Sequence, residues 1–170
     1  IRMKAIIYTS NTGSTAEYAQ LLGKELNLPV HSLQQAKNKV PAGSEIIYLG
    51  WIMAGGIKGY KEAAKLYKVR AVCGVGMGQT GTQLKEVRDK NAIPQRIPLF
   101  TLQGNFDVKK LHGVYRFMMN VMVKTAGKGL ANKTDRTPEE DDMLDMMVNG
   151  GKRVSLQNLK AVTEWYKSVY

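Results

Sequence analysis

Six consecutive residues, Ser10-Asn11-Thr12-Gly13-Ser14-Thr15, offer four hydroxyls, one side-chain amide and one glycine. Hydroxyls and amides donate hydrogen bonds to an anion without carrying charge. Glycine lets a backbone approach its ligand closely. The segment follows an apolar, β-forming run over residues 4–9, Lys-Ala-Ile-Ile-Tyr-Thr, and leads into Thr15 to Leu26. There Ala19, Leu22 and Leu26 recur at helical spacing, as on an amphipathic helix. A turn between a strand and a new helix exposes free N–H groups and the positive end of the helix dipole, which suits a phosphate. The loop lacks Gly-Lys-Ser/Thr, so it is not a nucleoside triphosphate loop, and it lacks Gly-x-Gly-x-x-Gly. It holds no Lys or Arg. A phosphomonoester held by neutral donors is the chemistry that remains. The alternative is a capped strand–helix turn with no ligand.

The rest of the chain supplies a frame for this loop. Residues from Pro29 to Leu33 read as a second, edge strand, and Ser44 to Gly50 as a buried one. Lys58 to Lys68 suit a helix, Val69 to Gly76 a strand, Gly81 to Asn91 a short helix and Ile97 to Gln103 a fifth strand. A last helix is expected from Ser155 to Val169, with Ser155 as its N-cap. Strands alternating with helices predict an α/β fold: a doubly wound, five-stranded parallel sheet of order 2-1-3-4-5 with helices on both faces. The segment from Asn105 to Gly151 is extra to a minimal version and reads as a helical insertion, with helices over Val108 to Ala126 and Thr137 to Val148. Thr137-Pro138-Glu139-Glu140 has the N-cap, the first-turn proline and the acids of a helix start. Residues 1–170 are expected to form one domain carrying this insertion.

The stretch from Ile6 to Leu22 resembles the signature of the flavodoxin family: an aliphatic pair, an aromatic, hydroxyl residues, Gly13, Thr15, then Ala19 and a closing aliphatic. That resemblance implies FMN as cofactor, with its phosphate on Ser10, Asn11, Thr12, Gly13, Ser14 and Thr15. It implies two further loops around the flavin ring. By position the first is Gly50-Trp51-Ile52-Met53-Ala54-Gly55-Gly56, and the second is Gly76-Met77-Gly78-Gln79-Thr80-Gly81. Trp51 suits a wall stacked on a flat π-system and suits equally a packing tryptophan. Gly55 or Gly56 tolerates the positive φ that a peptide flip beside the ring requires, and Gln79 suits a bond to the ring or ribityl edge. Gln103 and Gly104 lie at the same rim, within reach of substrate or flavin. Flavin would supply the redox chemistry, and the protein its position and electrostatics. No catalytic residue is assigned.

The chain carries 25 Lys and Arg against 14 Asp and Glu, a formal charge of +11. Such a field favours anionic partners. Flavodoxins that act only as carriers between protein partners are usually acidic. The stretch Tyr115 to Lys124, followed by Gly127, instead resembles the insertion of menaquinone-dependent protoporphyrinogen oxidases, FMN enzymes that pass electrons from a porphyrinogen to a membrane quinone. The implied partners are a quinone or redox protein, an anionic porphyrinogen and a membrane surface touched peripherally. The Met-rich helix of that stretch is equally at home in a core. Those oxidases usually carry an arginine after the third strand, where Met53 and Ala54 stand here.

Other classes fit less well. A phosphoacceptor receiver needs acids after the first strand and an aspartate after the third, where this chain has Tyr8-Thr9-Ser10 and Gly50-Trp51. Nucleic-acid binding would rest on charge alone. His31 and His112 show no ligand spacing, so no metal is expected. Cys73 reads as a small buried apolar residue. A single cysteine and the absence of a visible leader or apolar span give a cytoplasmic expectation, with possible attachment at the inner membrane face as the resemblance implies.

Overall fold

The computed structural model describes residues 2–106 and 124–170. The expectations for the stretch from Tyr115 to Lys124, all but its last residue, for His112, and most of that for the helix over 108–126, lie outside them. The first strand, β1 (Ala5–Thr9), buries both Ile6 and Ile7 completely, as a strand covered on both faces must. Helix α1 (Ser14–Leu26) ends on Asn27 in the left-handed region, and Pro29 prevents its continuation. The edge strand β2 is short, Val30–Ser32. The sequence reading carried it to Leu33, but Leu33 opens helix α2 (Leu33–Lys39). The reason is a capping box. Ser32 Oγ accepts the Gln35 N–H, and Gln35 Oε1 accepts the Ser32 N–H.

Strand β3 (Glu45–Met53) runs past Gly50 and turns back antiparallel as β4 (Gly56–Ile57). Helix α3 (Tyr60–Leu66), strand β5 (Lys68–Gly76), helix α4 (Leu84–Asn91) and strand β6 (Leu99–Gln103) follow. Residues 124–132 are helical. Helix α5 (Pro138–Asn149) starts with a second capping box, between Thr137 and Glu140. A 3-10 turn, Leu156–Leu159, is capped by Ser155 and leads into α6 (Lys160–Val169).

The parallel strands lie in the order β2-β1-β3-β5-β6, with β4 attached to β3 alone. This is the expected doubly wound order. One core lies against α2, α3 and α4 and includes Ile7, Tyr48, Val72 and Val87. The opposite core lies against α1 and the C-terminal helical segment and includes Ile6, Tyr18, Leu49 and Leu159. Cys73 is buried in the second core, and burial pushes its thiol up to about 12, so it stays protonated.

Thr9, Gly50, Gly74 and Thr101 share one register row near the carboxyl ends of the strands. The β3–β4 hairpin lies over the two glycines of that row. A Cβ on Gly50 would stand 2.5 Å from the Lys58 carbonyl oxygen and 2.6 Å from Ile57 Cγ2. A Cβ on Gly74 would stand 2.9 Å from Ile52 Cδ1. Beside the row, the Tyr48 hydroxyl lies 2.6 Å from the Lys58 carbonyl and 2.7 Å from Thr9 Oγ1. Having one hydrogen, it donates to the carbonyl and accepts from the threonine. Gly50→Ala is therefore expected to lift the hairpin and cost about 2–3 kcal/mol, measured as a lower denaturant midpoint at unchanged slope.

Candidate functional site

Ligands of open α/β sheets sit beyond the carboxyl ends of the strands, where the chain order reverses. Here the chain leaves β1 for β2 on one side and returns to β3 on the other. A cleft opens at that rim. Asn11, Thr12, Ser14 and Thr15 line it from the loop after β1. Trp51, Ile52, Met53, Ala54 and Gly55 line it from the β3–β4 hairpin, and Gly76, Met77, Gly78 and Gln79 from the end of β5 and its loop. Thr82, Gln83, Thr101, Gly104, Asn105, Phe106 and Met143 complete the wall with Val75 and Leu102. Among the described residues, no Asp, Glu, Lys or Arg lines it.

The loop after β1 is shaped for an anion. Gly13, at φ 108°, is the left-handed N-cap of α1, a conformation costly for any residue with a side chain. Its N–H donates to Ser10 Oγ at 3.2 Å, so Ser10 braces the loop rather than lining the cleft. Ser10 instead faces a neighbouring depression, with Lys58 and Glu62. Ser14 and Thr15 are buried. Ser14 Oγ accepts the Asn105 N–H at 3.0 Å, which ties the loop to the far end of β6. The hydroxyls of Thr12 and Thr15 have no hydrogen-bond partner among the described residues. Asn11 Nδ2 is buried and equally unpartnered. A buried donor left unsatisfied costs about 1–3 kcal/mol, and a ligand oxygen would remove that cost. The residues present thus fit a phosphate.

The sequence reading made Trp51 to Gly56 a loop. Trp51, Ile52 and Met53 are in fact the end of β3, and the reversal is a two-residue turn through Ala54 (φ 50°) and Gly55 (φ 81°). Two positive φ values make this a type I′ turn, whose twist matches the hairpin. Trp51 is half-buried and lines the cleft, so it is no core tryptophan, and the Lys58 ammonium lies 5.8 Å from its ring centre. Asn91 of α4 clamps the turn. Its Oδ1 accepts the Ile57 N–H at 2.8 Å, and its Nδ2 donates to the Gly55 carbonyl at 2.9 Å and the Val87 carbonyl at 2.7 Å. Sequence reading missed Asn91. Its only signal was a polar residue on the face of α4 that also carries Val87, four residues earlier.

Thr82, Gln83 and Met143 were also missed. Thr82 and Gln83 follow the second expected ring loop, and Met143 comes from the insertion through α5, where no local signal marks a cleft residue. Gln103 does not line the cleft. Its side chain turns away to the Met77 carbonyl and Asp142.

A doubly wound sheet of this order, with a neutral anion loop at its first helix and two backbone-rich loops beside it, defines a class of flavin-binding redox domains. Residues 5–133 match the flavodoxin domain. The chain belongs to that family. Comparison with curated proteins gives no match. Among the described residues, no helix is long and apolar enough to cross a membrane.

Ala54 alone in the turn bears a side chain at positive φ. Ala54→Gly should therefore stabilise the hairpin by about 0.5–1 kcal/mol, the left-handed penalty less the added chain entropy of glycine. A rise in the denaturation midpoint is the expected reading, and a fall would mean that the alanine methyl packs productively.

Proposed function

We propose that the cleft holds FMN and that the protein transfers electrons through it. The observation that carries this reading is the set of unsatisfied donors at the start of α1: Asn11 Nδ2 and the hydroxyls of Thr12 and Thr15. They would hold the phosphate together with the N–H groups of the first helical turn. Trp51, the Met53–Gly56 turn and the Gly76–Gln79 loop would hold the ring. When bound, the flavin accepts and donates electrons one or two at a time. The chain's own residues do the rest. Trp51 offers an aromatic face, and the turn at Ala54 and Gly55 presents backbone donors and acceptors. Met143 and Phe106 keep the β6 side apolar. The cleft encloses about 220 Å³, less than the ~300 Å³ at which whole small-molecule pockets begin. A ligand of FMN's size would keep one edge outside, where a partner can meet it.

The +11 charge favours an anionic partner over the basic partner of an acidic carrier. We therefore favour an oxidoreductase that takes electrons from a carboxylate-bearing substrate of the porphyrinogen kind and delivers them to a quinone, working at a membrane surface. A simple electron carrier is the second reading, and the missing arginine at Met53 and Ala54 favours it.

Titration of apoprotein should give tight FMN binding and weaker riboflavin binding. Thr12→Glu or Thr15→Glu should weaken FMN about a hundredfold, ~2.7 kcal/mol, and riboflavin far less. Equal FMN affinity in these variants would move the phosphate elsewhere. Anaerobically, protoporphyrinogen should bleach the bound flavin and menadione restore its colour. A flavin that responds to neither would leave the carrier.

A further inference from the structure

Gln103, the last residue of β6, is buried and does not itself line the cleft, yet every polar group it is seen to use reaches an element that shapes the cleft. Its N–H donates to Thr80 Oγ1 at 2.9 Å. Its carbonyl accepts the hydroxyl of Tyr18, on α1. Its Nε2 donates to the Met77 carbonyl at 3.1 Å and to Asp142 Oδ2, on α5, at 2.7 Å. An amide NH2 has two hydrogens, and here both meet acceptors. Burial raises the Tyr18 hydroxyl above its usual range, so it remains a donor.

The loop after β5 thus hangs from two residues of β6. Thr101 holds its distal end: Thr101 Oγ1 accepts the Gly81 N–H at 3.1 Å and donates to the Thr82 carbonyl at 2.7 Å. Gln103 holds its proximal end, at Met77 and Thr80. Among the described residues, the Gln103 end alone continues into the insertion, through Asp142. Asp142 also pairs with Arg153 at 3.2 Å. The backbone N–H of Arg153 donates to Asn105 Oδ1 at 2.6 Å, and Asn105 in turn donates to Ser14.

We propose that Gln103 is a positioning residue that locks the ring-side loop, Met77 to Thr80, to helix α5 of the insertion, so that the insertion governs affinity for a flavin's ring and not for its phosphate. The mention of a ring rests on the FMN reading; the lock itself does not. Removing the amide leaves the Met77 carbonyl and the Asp142 carboxylate facing each other without a donor between them.

Two measurements on the full chain test this. Hydrogen exchange without flavin should show amides from Met77 to Gly81 opening about tenfold more readily in Gln103→Leu, with β5 unchanged. Asp142→Ala should give a smaller rise at the same amides. Flavin titration should then show FMN and riboflavin weakened by one common factor of about ten, leaving their ratio at the wild-type value. Thr12→Glu, by contrast, moves that ratio. Unchanged exchange in both variants would overturn the lock, as would a loss confined to FMN. If Gln103→Leu fails to fold, Asp142→Ala and Gln103→Asn, whose shorter side chain cannot span both acceptors, decide the matter by the same exchange readout. A wild-type chain that binds no flavin would refute the proposed function, while the exchange result would still decide for or against the lock.

Discussion

A parallel sheet covered on both faces satisfies its backbone by pairing along each strand, and it leaves polar groups open along its two edges and where strands end. The candidate site lies at one such rim. Four strands end there in near-common register, through Thr9, Gly50, Gly74 and Thr101. A helix start must follow β1, and its first N–H groups have no intrahelical acceptor. Buried hydroxyls and an unpartnered amide gather at the same point. The donors that would hold an anion gather where the sheet has to end.

The rim is also where the sequence leaves room above the sheet. Two glycines in the shared row let the β3–β4 hairpin lie close over the sheet. A bulkier row would hold the hairpin off and open the wall that Trp51, Ile52 and Met53 form. The hairpin is held from below by that close approach and from the side by Asn91. Its two-residue turn is therefore a supported feature and not a loose loop, although it carries strain at Ala54.

Charge is distributed in a way that matters for partners. Among the described residues no charged side chain lines the cleft, in a chain of formal charge +11. The acidic run on α5 does not make a free negative face. Glu140 pairs with Lys133, Asp141 with Arg136, and Asp142 and Asp145 with Arg153. Most of these pairs are solvent-exposed and add little stability one by one. They neutralise the run locally, while α5 meets β6 through the hydrogen bond from Gln103 to Asp142, on the side where Met143 enters the cleft. An insertion added to a minimal sheet has in this way become part of the site's wall.

Much of this was legible in the residues themselves. Apolar runs separated at βαβ spacing determined the five parallel strands and their order, though not the short β4. The neutral hydroxyl loop determined what kind of anion the first helix can take, because that chemistry is local: a few donors, a glycine and a helix start within six residues. The capping boxes at Thr137 and Ser32 are local too, though the second was hidden by a strand-like neighbourhood. What only tertiary structure decided were the relations between residues far apart in sequence. Trp51 to Met53 became strand because β4 pairs with them and Asn91 holds the turn from thirty-odd residues away. Gln103, placed by sequence at the rim and within reach of a ligand, turned inward because Met77 and Asp142 offer acceptors for both its hydrogens. Met143 became a cleft residue because the Gln103–Asp142 hydrogen bond and the Phe106–Gly151 bridge hold its helix at the end of the sheet. Periodicity and turn chemistry report what a segment does with its neighbours in sequence. They carry no information about which distant acceptor a buried amide will find.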